Sequence, residues 1–417
     1  MRSSIPFLAF RGHLLALVLI LSFCENVFAQ YFELKHQRNR EATSFKLINN
    51  LIIIPLMING KGPFNFVLDT GVGIVLITEP KLIDSLNASQ TREIRLNGIG
   101  EGDEMIALIH PSARIDIGNS ISGTMPVAIL KEEAFNLSSF VGMPIYGLIG
   151  YELFSSFIVQ INYSLKTLTY YKQETAFIPR KGTKVPISIE DRKPYVQSKL
   201  LFPGNKEKLV KLIIDTGAGH PLSLETEDGI PYEIPDKHIS ANLGVGLSGL
   251  IKGYIARIPE MKLGKFQLDN IICAFPDYQD VAAKIPSIYR NGNMGNNILK
   301  RFNVVFDYSR EWMYLKPNYA FNTPFEHDMS GMELASNAPY FDVIHIVRVE
   351  PQSAADQVGL KTGDRLLSVN FKKISELDVE EIYGTFKSRD GKGIILEVLP
   401  KGLNQSKFVI LVLKKQI

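Results

Sequence analysis

One short motif occurs twice in this chain, and the duplication limits its fold more than any other feature of the sequence. Asp69-Thr70-Gly71 follows the apolar run Phe66-Val67-Leu68, and Asp215-Thr216-Gly217 follows Leu212-Ile213-Ile214, 146 positions further on. Two copies are too short a series for a solenoid, which needs three or more repeats. The chain is therefore predicted to contain one duplicated unit.

A second pair of segments recurs at nearly the same distance along the chain. Leu148-Ile149-Gly150 lies downstream of the first triplet, and Asn293-Met294-Gly295 lies downstream of the second, 145 positions later. From the closing glycine of each segment, the two copies align without a gap as far as Tyr163 and Tyr308. Two features in the same order at nearly equal distances indicate two homologous lobes.

Each copy has the sequence pattern of β-structure. In the first copy, the apolar or alternating runs Leu51–Ile58 and Phe64–Leu68 lie on either side of Asn59-Gly60, a dipeptide that strongly favours a hairpin turn. Helical signal is limited, with short helices predicted at Glu79–Leu86 and Gly150–Phe157. The sequence therefore predicts two similar lobes that are mostly β.

The first 29 residues have the pattern of an export signal. Two arginines precede the apolar run Leu14–Phe23, which is shorter than the roughly 20 residues that span a bilayer as a helix. We expect a mature chain that begins near Gln30 and is exported to the periplasm or secreted. The alternative is a lipoprotein anchored to a membrane through Cys24, which is less favoured because Phe23 is large where such processing needs a small residue.

Loss of the signal leaves one cysteine, Cys273, so an intramolecular disulfide is excluded in the mature chain. Cys273 follows Ile271-Ile272 in an apolar strand, which indicates a small buried side chain and not a nucleophile. An exported protein without disulfides is expected to depend on a large apolar core.

Composition excludes several classes of protein. Hydrophobic residues make up 45% of the chain, which is enough for sizeable cores and excludes a disordered or collagen-like chain. The 46 basic and 43 acidic residues are spread along the chain without a basic run that alternates with aromatics, so no nucleic-acid partner is predicted. The seven histidines include no close pair at metal-ligand spacing, and neither a metal nor a cofactor is predicted.

The paired triplets carry the main functional prediction. One Asp-Thr-Gly alone predicts only a strand that ends in a turn. Two of them, each after an apolar strand and ahead of the paired segments, resemble the aspartic proteases of the pepsin and retropepsin type over residues 45–320. The resemblance implies a bilobal, acid-protease-like β fold with Asp69 and Asp215 as the catalytic dyad. It assigns support of the dyad to the rest of the triplets: Thr70, Gly71, Thr216 and Gly217.

The chemistry of such a dyad explains why two carboxyl groups are needed. Two carboxylates about 3 Å apart do not both ionise, so they share a proton and their pKa values separate, as is known from the aspartic proteases themselves. The ionised group acts as a general base on water and the protonated group donates to the scissile carbonyl. Because the pair titrates as a unit, the sequence assigns neither aspartate a fixed role.

The sequence departs from the family pattern near both triplets. Val72 follows the first triplet, where pepsins often carry a hydroxyl, and Asn293 replaces an apolar residue behind the second. These departures favour a pH optimum closer to neutral than that of pepsin. His220, five residues after Asp215, is interpreted as a loop residue able to contact substrate, and less readily as a catalytic partner.

Glycine-rich segments lie where the family closes flap hairpins over its substrate. One lies at 97–102 and the other at 244–249, and mobile lids commonly have such tips. The alternative is that both are ordinary glycine turns. The flap candidates are Gly98, Ile99 and Gly100 in the first copy and Gly244, Val245 and Gly246 in the second.

The C-terminal part resembles a PDZ domain over residues 328–417. The resemblance depends on the run from Ser353-Ala354-Ala355 through Gly363-Asp364 and on an apolar helix face over Val379–Lys387. A linker is predicted at Pro324–Ser330. PDZ domains bind a peptide as an added strand, although the same residues are equally consistent with a plain core. The groove candidates are Gly331, Met332, Glu333, Leu334, Val379, Ile382 and Tyr383.

The sequence thus predicts a signal peptide at 1–29, protease lobes at 30–175 and 176–322, and an α+β PDZ-like domain at 323–417. The predicted function is that of an aspartic endopeptidase. Its predicted partners are peptide or protein substrates and a C-terminal peptide at the PDZ domain. The alternative is a catalytically inactive, peptide-binding or scaffold protein that has kept the protease fold.

Overall fold

The computed structural model describes residues 31–85, 91–96, 98–102, 104–132, 137–175, 182–284, 289–336, 341–377 and 379–417. The predicted export signal and Cys24 lie outside these residues. The described part is mostly β, as the sequence predicts, with two β lobes followed by a smaller α+β domain. Within it, no helix is long and apolar enough to cross a bilayer.

The first lobe is built on one large sheet. The strands of this lobe are β1 Phe32–Leu34, β2 Arg40–Ser44, β3 Lys46–Ile48, β4 Leu51–Ile58, β5 Lys61–Leu68, β6 Val75–Ile77, β7 Arg92–Leu96, β8 Met105–Ile117, β9 Ile121–Leu130, β10 Gly147–Ile149, β11 Phe157–Asn162 and β12 Thr167–Lys172. Three of them, β2, β11 and β12, belong to another sheet. The order across the sheet is β1-β9-β6-β10-β5-β4-β8-β7, with β3 paired to β4. The predicted hairpin at Asn59-Gly60 is confirmed, because Ile58 pairs with Lys61 across this two-residue turn.

The second lobe repeats this plan. Its strands are β13 Thr183–Pro186, β14 Ser188–Glu190, β15 Lys193–Phe202, β16 Lys206–Asp215, β17 Leu222–Leu224, β18 Thr226–Glu227, β19 Ile230–Pro231, β20 His238–Gly246, β21 Gly249–Leu263, β22 Phe266–Pro276, β23 Gly292–Gly295, β24 Phe302–Asp307 and β25 Trp312–Pro317. The order across the sheet is β14-β15-β16-β23-β17-β22-β21-β20.

The strand pairings confirm the duplication seen in the sequence. Strand β10 lies parallel to β5 and antiparallel to β6, while β23 lies parallel to β16 and antiparallel to β17. The register also corresponds, since Ile149 pairs with Leu68 and Met294 pairs with Ile214. Each Asp-Thr-Gly triplet therefore lies at the end of a central strand with its paired segment beside it.

A third sheet joins the two lobes. Its order is β13-β25-β24-β11-β12-β2, so three strands of the second lobe lie side by side with three strands of the first. Strand β11 pairs antiparallel with β24, and Val159 lies opposite Phe306. One continuous apolar core extends through both lobes, and Phe154 stacks on Tyr308 within it. Cys273 is buried in the same core, as predicted.

Helices in the protease lobes are few and short. The α-helices described there are α1 Leu137–Val141, α2 Tyr151–Ser156 and α3 Asn296–Leu299, and 3₁₀ turns occupy Pro80–Ser85, Ala282–Lys284 and Tyr308–Arg310. The predicted helix at Gly150–Phe157 is confirmed as α2. At Glu79–Leu86 the structure has a 3₁₀ turn in place of an α-helix.

The C-terminal domain has its own sheet and its own core. Its strands are β26 Met332–Ser336, β27 Ile344–Val349, β28 Arg365–Val369, β29 Lys372–Lys373, β30 Gly393–Leu399 and β31 Lys407–Val412, and its helices are α4 Ala354–Gln357, a 3₁₀ turn at Ile374–Glu376 and α5 Val379–Phe386. The order is β26-β27-β28-β30-β31, so β26 is an edge strand. Its apolar core is separate from that of the lobes.

The predicted linker Pro324–Ser330 is packed against the protease lobe. Arg301 lies over the ring of Phe325 at 3.5 Å from its centroid, and Nη1 of Arg257 donates to the Phe325 carbonyl at 2.9 Å. His327 is buried, and neither ring nitrogen has a hydrogen-bond partner among the described residues. Burial therefore lowers the pKa of His327 to about 4.

This buried histidine predicts a loss of stability in mild acid. The folded state keeps His327 neutral while the unfolded chain protonates it near pH 6.5, so its contribution is complete above that pH and is lost as pH falls towards 4. Replacement of His327→Gln should make the stability less dependent on pH, by on the order of 1–3 kcal/mol between pH 7 and pH 4. Thermal unfolding at both pH values tests this.

The matched control is His238→Gln, because His238 is exposed. We expect this variant to follow the wild type at both pH values. Equal acid sensitivity in all three proteins would show that His327 is not the group responsible.

Candidate active site

The two triplets are held by strands from the centre of each lobe. Asp69 follows β5, and its backbone N–H donates to the Ile149 carbonyl of β10 at 2.8 Å. A side chain at Gly150 would collide with the Asp69 carbonyl, so the segment behind the loop needs glycine. In the second copy, Gly295 is packed in the same way against the His220 carbonyl.

The threonines of the triplets brace the two loops against each other. The Thr70 hydroxyl donates to the Ile214 carbonyl at 2.6 Å and accepts the Thr216 N–H at 3.0 Å. In the reciprocal pair, the Thr216 hydroxyl donates to the Leu68 carbonyl at 2.7 Å and accepts the Thr70 N–H at 3.1 Å. Both threonines are fully buried. These four bonds fix the two loops in one relative position. Support of the loops is the role that the resemblance implies for both threonines.

Each carboxyl group is held by its own loop and faces the other. Gly71 N–H donates to Asp69 Oδ1 at 2.7 Å, and Gly217 N–H donates to Asp215 Oδ1 at 2.8 Å. A side chain at Gly217 would overlap the Asp69 carboxyl group, while one at Gly71 would lie 3.4 Å from the Asp215 carboxyl carbon. Gly217 therefore gives room to the opposite aspartate, whereas Gly71 only lies in contact with its counterpart. The structure brings the two predicted dyad members together.

The pKa of Asp69 is raised well above its ordinary value. Burial is the largest cause, and the negative charge of Asp215 and a hydrogen bond with that residue act in the same direction. The Gly71 N–H and the charge of Lys193 oppose the shift. The pair therefore holds a proton to a higher pH than an isolated carboxyl group would.

One contact at the site was not predicted from the sequence. Asn293 Nδ2 donates to Asp215 Oδ2 at 2.6 Å. The corresponding residue in the first copy is Leu148, which packs in an apolar cluster. The sequence does mark Asn293 as a departure from an apolar position, but it does not reveal which group the amide reaches. The mismatch between Asn293 and Leu148 at equivalent positions of the repeat is the signal that could have found it.

His220 lies beside this asparagine. Burial lowers the pKa of His220, while the charge of Asp215 and the side chain of Asn293 raise it. Nε2 of His220 is buried and has no hydrogen-bond partner among the described residues. His220 is thus close to both Asn293 and the carboxyl group of Asp215. Its interpretation as a loop residue did not place it so near the dyad.

Both predicted flap segments lie in β-hairpins whose tips touch. Strands β7 and β8 form one hairpin and β20 and β21 form the other. Ser248 N–H donates to the Ile99 carbonyl at 3.0 Å, and Gly102 N–H donates to the Ser248 carbonyl at 2.6 Å. Leu247 packs in the same apolar cluster as Val72, the residue after the first triplet.

The six flap candidates occupy two kinds of position. Gly98, Ile99 and Gly100 lie in the tip of the first hairpin. Gly244, Val245 and Gly246 lie on β20, and the turn of the second hairpin is formed by the next two residues, Leu247 and Ser248, because Gly246 pairs with Gly249. The turn lies within the predicted segment 244–249 and directly follows the three candidate residues.

The PDZ groove candidates lie along edge strand β26 and helix α5. Gly331 is at the turn before β26, with φ +72°, and half-buried Glu333 accepts a hydrogen bond from Asn242 of β20 at 2.9 Å. Met332, Leu334 and Ile382 are buried in the domain core, while Val379 and Tyr383 are half-buried. The Tyr383 hydroxyl donates to the Leu334 carbonyl at 3.3 Å. Met332 is therefore a core residue, as the alternative interpretation held.

Part of the protease lobe lies at this groove. A small depression between β26 and α5 is lined by Leu334, Ser336, Val379 and Ile382, and also by Ser139 and Phe140 of α1. The Ser336 hydroxyl donates to the Ser139 carbonyl at 3.3 Å. The groove end of the C-terminal domain is thus in contact with the first lobe.

Among the described residues, no group of three or more His, Cys, Asp or Glu side chains is placed to hold a metal ion. Two apposed carboxyl groups that retain a proton can supply one general base and one general acid to the same reaction.

Comparison with known proteins agrees with both resemblances. The family model of aspartyl proteases matches residues 54–153, which hold the first triplet, and the family model of PDZ domains matches residues 345–399. The second triplet lies outside both ranges. No curated protein sequence matches the chain significantly. A solved structure of a photosystem II D1 C-terminal processing protease is similar over 20% of this chain and 22% of its own, with 13% identity and a TM-score of 0.19.

The raised pKa of Asp69 predicts a pH-dependent penalty on folding. The folded state holds this proton more tightly than the unfolded chain, so the stability due to Asp69 falls as pH rises from about 4 to the raised pKa. Asp69→Asn removes this ionisation. The free energy of unfolding of this variant relative to wild type should therefore increase between pH 4 and pH 8, by about 1.4 kcal/mol for each pKa unit of the shift that falls in this range. Denaturant unfolding at both pH values measures it.

Exposed Asp236 provides the control. Asp236→Asn should show the same difference from wild type at both pH values. If Asp69→Asn also gives a constant difference, the environment of Asp69 does not perturb its ionisation.

Proposed function

We propose that this chain, which carries an aspartyl protease domain and a C-terminal PDZ domain, is an aspartic endopeptidase that hydrolyses peptide bonds on an Asp69/Asp215 dyad. One observation carries the proposal. The two carboxyl groups lie on loops locked together by the threonines, and burial, reinforced by the charge of Asp215, raises the pKa of Asp69. A protonated and an ionised carboxyl group side by side are what direct attack by water requires.

The rigid loops serve the chemistry by fixing the reacting groups before substrate arrives. The ionised carboxylate removes a proton from water as the oxygen attacks the scissile carbonyl, and the protonated carboxyl group donates to the carbonyl oxygen. No covalent bond to the enzyme forms. The braced triplets hold both carboxyl groups in place, so these groups lose little conformational freedom in the reaction step. Such positioning contributes strongly to the rate.

The two hairpins are proposed to act as flaps. Their tips are joined by backbone hydrogen bonds at Ile99, Gly102 and Ser248, and Lys284 Nζ donates to the Gly102 carbonyl at 2.5 Å. An extended peptide that enters between the tips and the dyad needs these bonds to open and the tips to close again over it. Exclusion of water by closed flaps strengthens the electrostatic interactions at the dyad.

The PDZ domain is proposed to recruit peptide or protein partners. Among the residues that the structure describes, strand β26 pairs with a neighbouring strand on one side only, and its other side lies beside helix α5, which is the arrangement that accepts a peptide as an added strand. Because Asn242 of β20 donates to Glu333 of β26, the recruiting groove and the second flap hairpin are in direct contact. A bound protein terminus is thereby held close to the catalytic lobes.

The proposed site of action is outside the cytoplasm, in the periplasm or the medium. The N-terminal sequence pattern supports export, and a lipid anchor at Cys24 is the less favoured alternative. A mature chain with only Cys273 suits this proposal, since its stability depends on apolar cores and not on disulfides.

Substitution of either dyad member tests the proposal directly. Asp69→Asn and Asp215→Asn should each lower the rate of peptide cleavage by about 10²- to 10⁴-fold, because each removes one of the two proton-transfer groups. Cleavage of a peptide library, read by mass spectrometry from pH 3 to pH 8, gives the rates. Wild-type activity should persist towards neutral pH, since the raised pKa of Asp69 keeps the dyad proton in place.

Asp236→Asn is again the control and should cleave like the wild type. Two results would reject the endopeptidase. In one, all variants cleave at the wild-type rate. In the other, the folded wild type cleaves no member of the library, which would leave the scaffold alternative.

Peptide binding to the PDZ groove is tested separately. Val379 lines the depression beside β26, so Val379→Lys should weaken the binding of peptides with an apolar free C-terminus by about tenfold. Fluorescence polarisation with the inactive Asp215→Asn chain measures the affinity without cleavage. Glu376→Lys, at an exposed position outside the groove, should bind as before. Equal affinity in both variants would place the peptide elsewhere.

A further inference from the structure

The catalytic loops are nearly symmetric except at one position. Leu148 and Asn293 occupy equivalent places in the repeat, immediately before the strand residue and glycine that close each paired segment. Leu148 is buried in an apolar cluster, so among the described residues the side chain at this position offers no hydrogen-bond donor to the Asp69 carboxyl group. Asn293 donates its amide to Asp215 Oδ2 at 2.6 Å. The two carboxyl groups therefore have different surroundings.

The difference can be counted in hydrogen-bond donors. Asp215 accepts the Gly217 N–H on Oδ1 and the Asn293 amide on Oδ2, so both of its oxygens have a donor. Within the described residues, Asp69 accepts the Gly71 N–H on Oδ1 and otherwise shares a hydrogen bond with Asp215. N–H donors favour the ionised form of a carboxyl group. The negative charge of a singly protonated pair is thus favoured on Asp215.

The orientation of the Asn293 amide decides whether it donates or accepts, and His220 lies on its other side. Asn293 Oδ1 and His220 Nε2 are both buried, and neither makes a hydrogen bond of ordinary geometry to a described residue. The Asn293 side chain nevertheless lies close enough to raise the pKa of His220. A neutral imidazole with its proton on Nε2 offers a donor to Oδ1 and leaves the NH₂ group directed at Asp215.

Other charges surround the pair and stay in place when Asn293 is changed. The charge of Lys193 acts on Asp69. Tyr308 is on the same side but stays neutral, because burial and the negative charge of Asp69 raise its pKa. Arg290 acts on the Asp215 side, and its guanidinium is paired with Glu225 at 2.8 Å. Because Glu225 neutralises Arg290, the uncharged amide of Asn293 is the group in direct contact that distinguishes Asp215 from Asp69.

We propose that Asn293 is a positioning residue that assigns the dyad its roles: it keeps the negative charge on Asp215, the general base, and leaves the proton on Asp69, the general acid. His220 holds the Asn293 amide in the donating orientation. The inference rests on the proposed endopeptidase function. It adds which aspartate accepts the proton from water and which one donates a proton to the carbonyl oxygen.

The proton transfers balance over one turnover. Asp215 takes a proton from water as the C–O bond forms, and Asp69 gives its proton to the carbonyl oxygen, which produces a gem-diol. Asp215 then donates its proton to the amide nitrogen as the C–N bond breaks, and Asp69 recovers a proton from a gem-diol hydroxyl as the carbonyl re-forms. The pair returns to its starting state with no other reactant than water.

Asn293→Leu tests the proposal, because it gives the second copy the residue of the first. Loss of the amide removes a hydrogen-bond donor that stabilises the Asp215 carboxylate. The acid limb of the kcat/KM profile should therefore move up by about one pH unit. The alkaline limb reports Asp69 and should move less. His220→Ala should shift the acid limb in the same direction by a smaller amount. In this variant the Asn293 amide is still present, but His220 no longer holds it in the orientation that donates to Asp215.

Two further variants separate positioning from packing. Asn293→Asp has nearly the same shape but no donor, so it should move the acid limb further up than Asn293→Leu. Asn297→Leu changes a half-buried asparagine four residues along that makes no side-chain contact with either carboxyl group in the described structure, and it should leave both limbs unchanged. Circular dichroism and melting temperature confirm that each variant is folded.

Carboxyl ¹³C NMR titration of Asp-labelled protein gives a readout that needs no activity. Ionisation of Asp215 at a higher pH in Asn293→Leu than in the wild type supports the proposal even if no peptide is cleaved. Absence of cleavage would reject only the endopeptidase function. The proposal is overturned if Asn293→Leu leaves the acid limb and the Asp215 titration at the wild-type pH, whatever happens to kcat. It is also overturned if the acid limb moves down.

Discussion

The cross-brace between Thr70 and Thr216 is the interaction on which the rest of the protease site depends. Each threonine hydroxyl bonds the backbone of the opposite lobe twice, once as donor and once as acceptor, and both are fully buried. An unmade bond here would leave a buried polar group without water, which costs more than the net gain of an ordinary hydrogen bond. The carboxyl groups meet because the loops cannot separate without that cost.

The sequence predicts the parts of the molecule that follow from local pattern and duplication. The repeat of Asp-Thr-Gly and the segments at Gly150 and Gly295 places both triplets at the ends of central strands, and the structure has them there. The Asn59-Gly60 hairpin and helix α2 follow from turn chemistry and apolar spacing. These features depend on residues that are close in the chain or on a symmetry visible in it.

Contacts between distant segments are not accessible in the same way. The sequence marks Asn293 as unusual, but only the fold shows that its amide reaches Asp215 and adjoins His220. The second flap turn falls at Leu247 and Ser248 because pairing across β20 and β21 sets the register, and the glycines alone do not fix it. Packing of the linker under Arg257 and Arg301 likewise depends on the docking of two domains.

The unequal pair Leu148 and Asn293 has a consequence for how such a site can evolve. In a homodimer with one triplet per subunit, both halves of the site come from one coding sequence, and any substitution appears on both sides of the axis. Here the halves lie in one chain and are joined by a shared sheet in which β11 pairs with β24. Each half is therefore free to change alone. Fusion of the lobes thus makes an unsymmetrical pair of carboxyl groups heritable, since a mutation beside one aspartate leaves its counterpart untouched.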